Sequence, residues 1–225
     1  MAQQPLRLDS RTNFPMVWIE ELGAYMNWIP VTKVQFEYFL CEVNDSQFDE
    51  SWYDEILSLN RRVSPTAIRN TNYWQAFITG VLPSESQRYA RWCGQGYTLP
   101  TIEEWMTAYR ALKQKPPEDI AAVLGLSKLN ERARAIIQRI DSASQNALKQ
   151  LGYPRMRAEQ MLFRLGVLEW VECRNLTNRW GGIGETYADF HSALFSPEAG
   201  QPRLPKDPET DRIPYYGFRL LWRPE

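Results

Sequence analysis

Histidine is almost missing from this chain. A single imidazole, His191, in 225 residues excludes any site that needs two or three within one chain, whether a zinc protease centre, a facial iron triad or a His-rich iron site. Cysteine is scarce as well. Cys41, Cys93 and Cys173 are scattered with no CxxC pair, which speaks against a thiolate zinc knuckle or dithiol redox motif and for buried free thiols. Net charge is lacking too: 26 Lys and Arg against 27 Asp and Glu leave −1, without the global basic field that drives non-specific binding to nucleic acid or acidic membranes. No apolar run approaches the roughly 18 residues of a spanning helix, and Met1–Ser10 has no apolar core of a secretory signal. The chain is therefore expected to be cytoplasmic, with no membrane contact.

What is abundant is aromatic. Nine Trp and eleven Tyr, with 15 Pro and 12 Gly, point to a loop-rich fold whose irregular interior is filled by large rings. With 44% hydrophobic and 24% charged residues, the chain has enough apolar mass for a core and reads as one domain spanning residues 1–225.

Capping chemistry marks three helix starts. At Thr32–Gln35, Ser84–Gln87 and Thr101–Glu104 a hydroxyl residue precedes Glu or Gln by three, the spacing that satisfies orphan N–H groups reciprocally. Apolar stripes follow: Phe36, Phe39, Leu40 and Val43; then Tyr89, Trp92 and Cys93; then Trp105, Ala108, Tyr109 and Leu112, each on one helical face. Over Glu131–Leu151 the apolar period is 3.6 residues, with Ala133, Ile136, Ile137, Ile140, Ala147, Leu148 and Leu151, which predicts a long amphipathic helix stopped by Gly152-Tyr153-Pro154. Lys113–Pro117 reads as a linker or helix terminator.

The last quarter loses helical periodicity. Gly166–Val171 and Gly217–Trp222 read as short strands, separated by the glycine cluster Trp180–Gly184 and the proline-rich stretch Ser196–Pro214. The expected class is α+β, helices first and short strands after, joined by long loops.

Taken in order, these segments resemble the formylglycine-generating enzyme and sulfatase-modifying factor family. Ile29–Phe36 (IPVTKVQF) resembles its "PVTNxQF" opening and Val81–Trp92 its "VSWxDAxxYCxW" helix. Tyr97–Trp105 (YTLPTIEEW) resembles "RLPTEAEWE", Leu165–Val171 (LGVLEWV) "GNVWEWT", and Tyr216–Leu220 (YGFRL) the terminal "xxGFRL". The five motifs cover roughly residues 15–112 and 160–225 in the family's order. The resemblance implies a C-type-lectin-like fold, here with a helical insertion at about 113–163. The apolar stripe at 131–151 then either packs back on its own domain or meets a partner chain.

Family chemistry does not transfer with the scaffold. The resemblance implies a copper-binding cysteine pair after an "RGGSF" strand, and alignment on the paired glycines puts Thr186 and His191 at those positions; a hydroxyl and one imidazole do not replace two thiolates for Cu(I). The three-histidine iron site of the related sulfoxide synthases needs imidazoles this chain lacks. Of the family's calcium-binding oxygens only Glu169 survives, too few for calcium, so Glu169 is expected to be buried and bonded to backbone N–H groups. No cofactor and no metal are expected.

The leading reading is a non-catalytic module that binds protein or another ligand through its C-terminal surface: Trp180, Glu185, Thr186, Tyr187, Asp189, His191, Phe195, Tyr215 and Tyr216. Aromatics among short polar residues give large contact area at low entropic cost. Each of these is weighed against being a packed core residue. The superfamily also includes variable proteins of diversity-generating retroelements and components of bacterial multi-protein systems. The alternative is an oxygen-dependent oxidoreductase with an atypical site, for example His191 with Asp189 and Glu185. A nucleic-acid role ranks third: Arg61, Arg62, Arg69, Arg88, Arg91, Arg132, Arg134, Arg139, Arg155, Arg157 and Arg164 are interleaved with acidic residues, the pattern of a solvated face.

Overall fold

The computed structural model describes residues 6–43, 46–59, 77–114, 131, 167–174, 179–184 and 201–224. The helix expected over 131–151, and all but a few residues of the 113–163 insertion, lie outside that set. Within it the class is α+β, as expected, but strands come first. β1 (Leu6–Leu8), β2 (Pro15–Ile19) and β3 (Ala24–Asn27) form an antiparallel meander at the start of the chain. The expected order of elements is thus corrected. Strands of three to five residues hold too few alternations to stand out beside strong capping signals.

Three of the helices follow the caps. α1 (Lys33–Val43) opens with the predicted box: the Gln35 side chain accepts from the Thr32 N–H at 2.9 Å and the Thr32 hydroxyl from the Gln35 N–H at 3.3 Å. α2 spans Glu50–Leu59. α3 (Pro83–Cys93) starts earlier than the Ser84 signal predicted. Glu85 instead reaches back to the Leu82 N–H at 2.8 Å, because Pro83 needs no N–H partner and its fixed φ suits the first helical position. β4 (Tyr97–Thr98) follows. α4 (Ile102–Gln114) carries the third box, with Glu104 accepting from Thr101 N–H at 2.7 Å and Thr101 Oγ1 from Glu104 N–H at 3.2 Å. It runs through Lys113 and Gln114, so the predicted linker begins later than Lys113.

The remaining strands are β5 (Leu168–Glu172), β6 (Trp180–Ile183), β7 (Tyr216–Gly217) and β8 (Leu221–Trp222). One sheet has five strands in the order β1-β2-β3-β8-β4 and the other three in the order β6-β5-β7, with β5 and β7 parallel. The predicted strand Gly217–Trp222 is therefore two strands in two sheets. Phe218, Arg219 and Leu220 make the crossing, all buried.

Period-two alternation divides the core into two clusters. Val17, Ile19, Ala24, Met26, Val171 and Leu221 pack with Trp105, Ala108, Tyr109 and Leu112 of α4. Met16, Tyr25, Leu168, Trp170 and Phe218 face the other way, onto Phe36 and Phe39 of α1, Trp52 of α2 and Tyr89 of α3. Phe36 is stacked between Trp52 and Tyr89, centroids 5.8 and 5.6 Å away. The many rings counted in the sequence are mostly here. They join short elements that regular secondary structure alone would not hold.

Candidate functional site

On β5 the alternation places Glu169 on the same face as Val171, against α4, where a carboxylate must be satisfied by protein groups. It is 2% exposed. Arg219 Nε donates to both Glu169 oxygens at 2.9 Å, Trp105 Nε1 donates to Oε2 at 2.9 Å, and Arg219 Nη1 donates to the Trp28 carbonyl at 2.8 Å. The partners are thus a guanidinium and an indole, and the expected backbone N–H donors are corrected. Burial raises the Glu169 pKa and lowers that of Arg219, each opposed by the attraction of the other. Both oxygens are spent on the frame. Among the described residues, no three His, Cys, Asp or Glu side chains converge where a metal ion would sit.

The three-stranded sheet contains two of the predicted binding residues, Trp180 in β6 and Tyr216 in β7. Gly182 N–H donates to Arg203 O at 2.9 Å and Arg203 N–H donates back to Gly182 O at 2.8 Å. The Tyr216 hydroxyl also donates to Arg203 O, at 2.9 Å. A Cβ on Gly182 would lie 2.5 Å from the Tyr216 ring, so glycine is what lets that ring lie directly on β6. Gly184, at φ +136°, would put a Cβ 2.7 Å from the Val167 carbonyl, so both its backbone conformation and its surroundings favour glycine. Arg203 is clamped against β6 by the bonds to Gly182 and Tyr216.

Two predicted site residues are corrected by this arrangement. Trp180 and Tyr216 are 4% and 0% exposed and belong to the core beside Trp170, whose ring centroid is 4.5 Å from that of Tyr216. Tyr215 is half-buried at the edge, with the Arg203 guanidinium 5.5 Å from its ring centroid. Glu185, Thr186, Tyr187, Asp189, His191 and Phe195 lie outside the described residues.

Sequence reasoning missed a second buried carboxylate. Glu85, 1% exposed, accepts from Trp52 Nε1 of α2 at 2.7 Å, from Arg212 Nη2 at 2.6 Å and Nη1 at 2.8 Å, and from Leu82 N–H at 2.8 Å. Arg212 Nε also donates to Glu55 at 3.0 Å and Nη1 to Gly80 O at 3.2 Å. Burial pulls the Arg212 pKa down, but the bonds to Glu85 and Glu55 outweigh it and the net shift is upward. Glu85 had no capping role in the sequence pattern, which put the cap at Ser84–Gln87. Its partner, 127 residues away, carried no signal.

Other buried polar groups serve the frame. Asp9 Oδ1 accepts from Arg11 N–H, Thr12 N–H and the Thr12 hydroxyl at 3.0, 2.7 and 3.0 Å, closing the turn between β1 and β2. Lys33, 4% exposed, has its pKa lowered by burial, against the pull of Glu37, to about 7. Burial pushes the Cys93 thiol up and holds Cys173 at about 11, so both are protonated at neutral pH and poor nucleophiles. Of the arginines weighed for nucleic acid, Arg88 and Arg91 are described; Arg88 bonds Gln47 and sits 4.9 Å from the Phe48 ring centroid. Among the described residues, no helix is long and apolar enough to cross a membrane.

Comparison with known proteins agrees with the scaffold. The sequence profile of the sulfatase-modifying factor enzyme 1-like domain matches residues 5–146. That span contains the Ile29–Phe36, Val81–Trp92 and Tyr97–Trp105 segments and runs into the stretch read as an insertion; the two C-terminal segments lie beyond it. No curated protein and no solved structure matches the chain.

Proposed function

Since the chain belongs to the sulfatase-modifying factor enzyme 1-like family, we propose that it keeps the family's scaffold, in C-type-lectin-like form, as a non-catalytic binding module. The observation that carries this reading is the clamp at Gly182, Arg203 and Tyr216. It orders β6, which in sequence immediately precedes the proposed contacts Glu185, Thr186, Tyr187, Asp189, His191 and Phe195, and it holds Tyr216, the neighbour of Tyr215 in the chain. An interface gains affinity when its scaffold is ordered before the partner arrives. The positions that align with the family's thiols hold Thr186 and His191, so the copper chemistry of the family has no thiolate pair to run on. The module binds a protein or another ligand, and a retroelement-diversified surface is one form it takes.

A panel of purified products of the neighbouring genes tests the proposal. The full chain captures one of them, and Tyr187→Ala and His191→Ala weaken that capture by at least about tenfold, the loss of one interface anchor; equal capture by wild type and both variants overturns it. A template repeat beside the gene, differing at adenines, would mark the surface as diversified.

Family membership also favours a second reading, an oxygen-dependent oxidoreductase built on His191 with Asp189 and Glu185. It requires a resident metal. Stoichiometric copper or iron in the purified chain, lost with His191→Ala, would establish it over the first.

A further inference from the structure

Three segments far apart in sequence meet at one carboxylate. Glu85 belongs to the first turn of α3, Trp52 to α2, and Arg212 to the limb that leads into β7. Oε1 accepts from Trp52 and Arg212, and Oε2 from Leu82 and Arg212. At 1% exposure no solvent replaces a lost donor, so removing one leaves a buried charge short of a bond and weakens its hold on the others. The link from Arg212 to Glu55 runs to the same helix, but with the Glu55 side chain 54% exposed it adds little. Beyond Arg212 the limb is carried into the sheet by Tyr216 N–H donating to Ile213 O and Leu168 N–H donating to Tyr215 O, both 3.0 Å.

We infer that Glu85 and Arg212 form a joint that couples the docking of α2 to the placement of the limb 207–216, so that α2 and Tyr215 tighten or loosen together. Arg212 is a positioning residue in this arrangement: it acts on Tyr215 through the backbone of the limb. The consequence for binding rests on the proposed ligand surface, of which Tyr215 is part, whereas the coupling itself does not.

Hydrogen exchange on the full chain, read by mass spectrometry, tests it. Trp52→Phe removes the indole N–H and keeps an aromatic ring; Arg212→Lys keeps the charge and loses the fork that engages both Glu85 oxygens. Trp52→Phe should speed exchange across residues 207–216 by about tenfold, and Arg212→Lys should speed it across α2 by a similar factor, the scale of one hydrogen bond to a charged group. Peptides from α4 should be unchanged. Combining the two should loosen each segment by less than the product of the single effects, because both act on one carboxylate. If each variant loosens only its own segment, or the effects multiply independently, there is no joint. Failure of Tyr215 as a ligand contact would leave these exchange rates as expected, so the two outcomes separate.

Discussion

Glu169 and Glu85 are both buried carboxylates met by an arginine, yet they hold different parts of the molecule. Glu169 joins β5 to the crossing between β7 and β8, with Arg219 at 0% side-chain exposure and Trp105 of α4 as third partner. Its contacts tie the two sheets to each other and to α4. Glu85 joins a helix start to α2 and to a loop, and its arginine is 12% exposed. The first pair fixes the architecture. The second attaches α2 and the limb that carries Tyr215 to it. A buried charge pair is weak evidence for net stability, so the value of each lies in which segments lose their placement when it is broken.

The largest effect belongs to the frame. Arg219→Met leaves Glu169 buried without its cation and should cost about 3–5 kcal/mol, measured by urea unfolding; the double variant with Glu169→Leu should recover part of this. A loss below about 1 kcal/mol for Arg219→Met would erase the contrast with Glu85.

Lys33 sharpens the contrast from the other side, as a buried cation whose neighbouring carboxylate does not offset burial. Its pKa of about 7 in the folded chain against 10.5 ordinarily means that the unfolded chain binds more protons between those values. Stability should therefore rise from pH 7 towards 10.5, by at most about 1.4 kcal/mol per unit, and be unaffected by this group below pH 7. Melting curves across that window should lose the slope in Lys33→Met.

Gly182→Ala drives a methyl into the Tyr216 ring and should cost about 1–3 kcal/mol; crystal or exchange data should show the change at Arg203 and not at Glu169. Smallest is Thr101→Ala, which removes one half of a capping box for about 1 kcal/mol, read as a lowered melting temperature.

Legibility in the sequence followed range. The Thr32–Gln35 and Thr101–Glu104 boxes are complete within four residues, so spacing alone located α1 and α4. The Ser84 signal misled because Leu82 and Pro83, with Glu85 in place of Gln87, make a better start two residues earlier. β1 to β3 escaped notice because each is too short to show its period, and the Gly217–Trp222 run was divided by the need to bury Arg219 against a partner 50 residues away. Trp180 and Tyr216 looked like surface aromatics because nothing local says that Gly182 admits the Tyr216 ring. The Glu85–Arg212 joint joins residues 127 apart, beyond any local pattern. Among the described residues Tyr215 alone of the predicted contacts is placed at an edge, and the family read from the motifs is the one whose profile matches residues 5–146.

The central claim is that this frame serves binding without the family's oxygen chemistry. Oxygen consumption by the full chain, supplied with copper and a cysteine-containing peptide, tests it most directly. Uptake equal to that of the copper and peptide alone is the predicted result; chain-dependent uptake that vanishes in His191→Ala would contradict it.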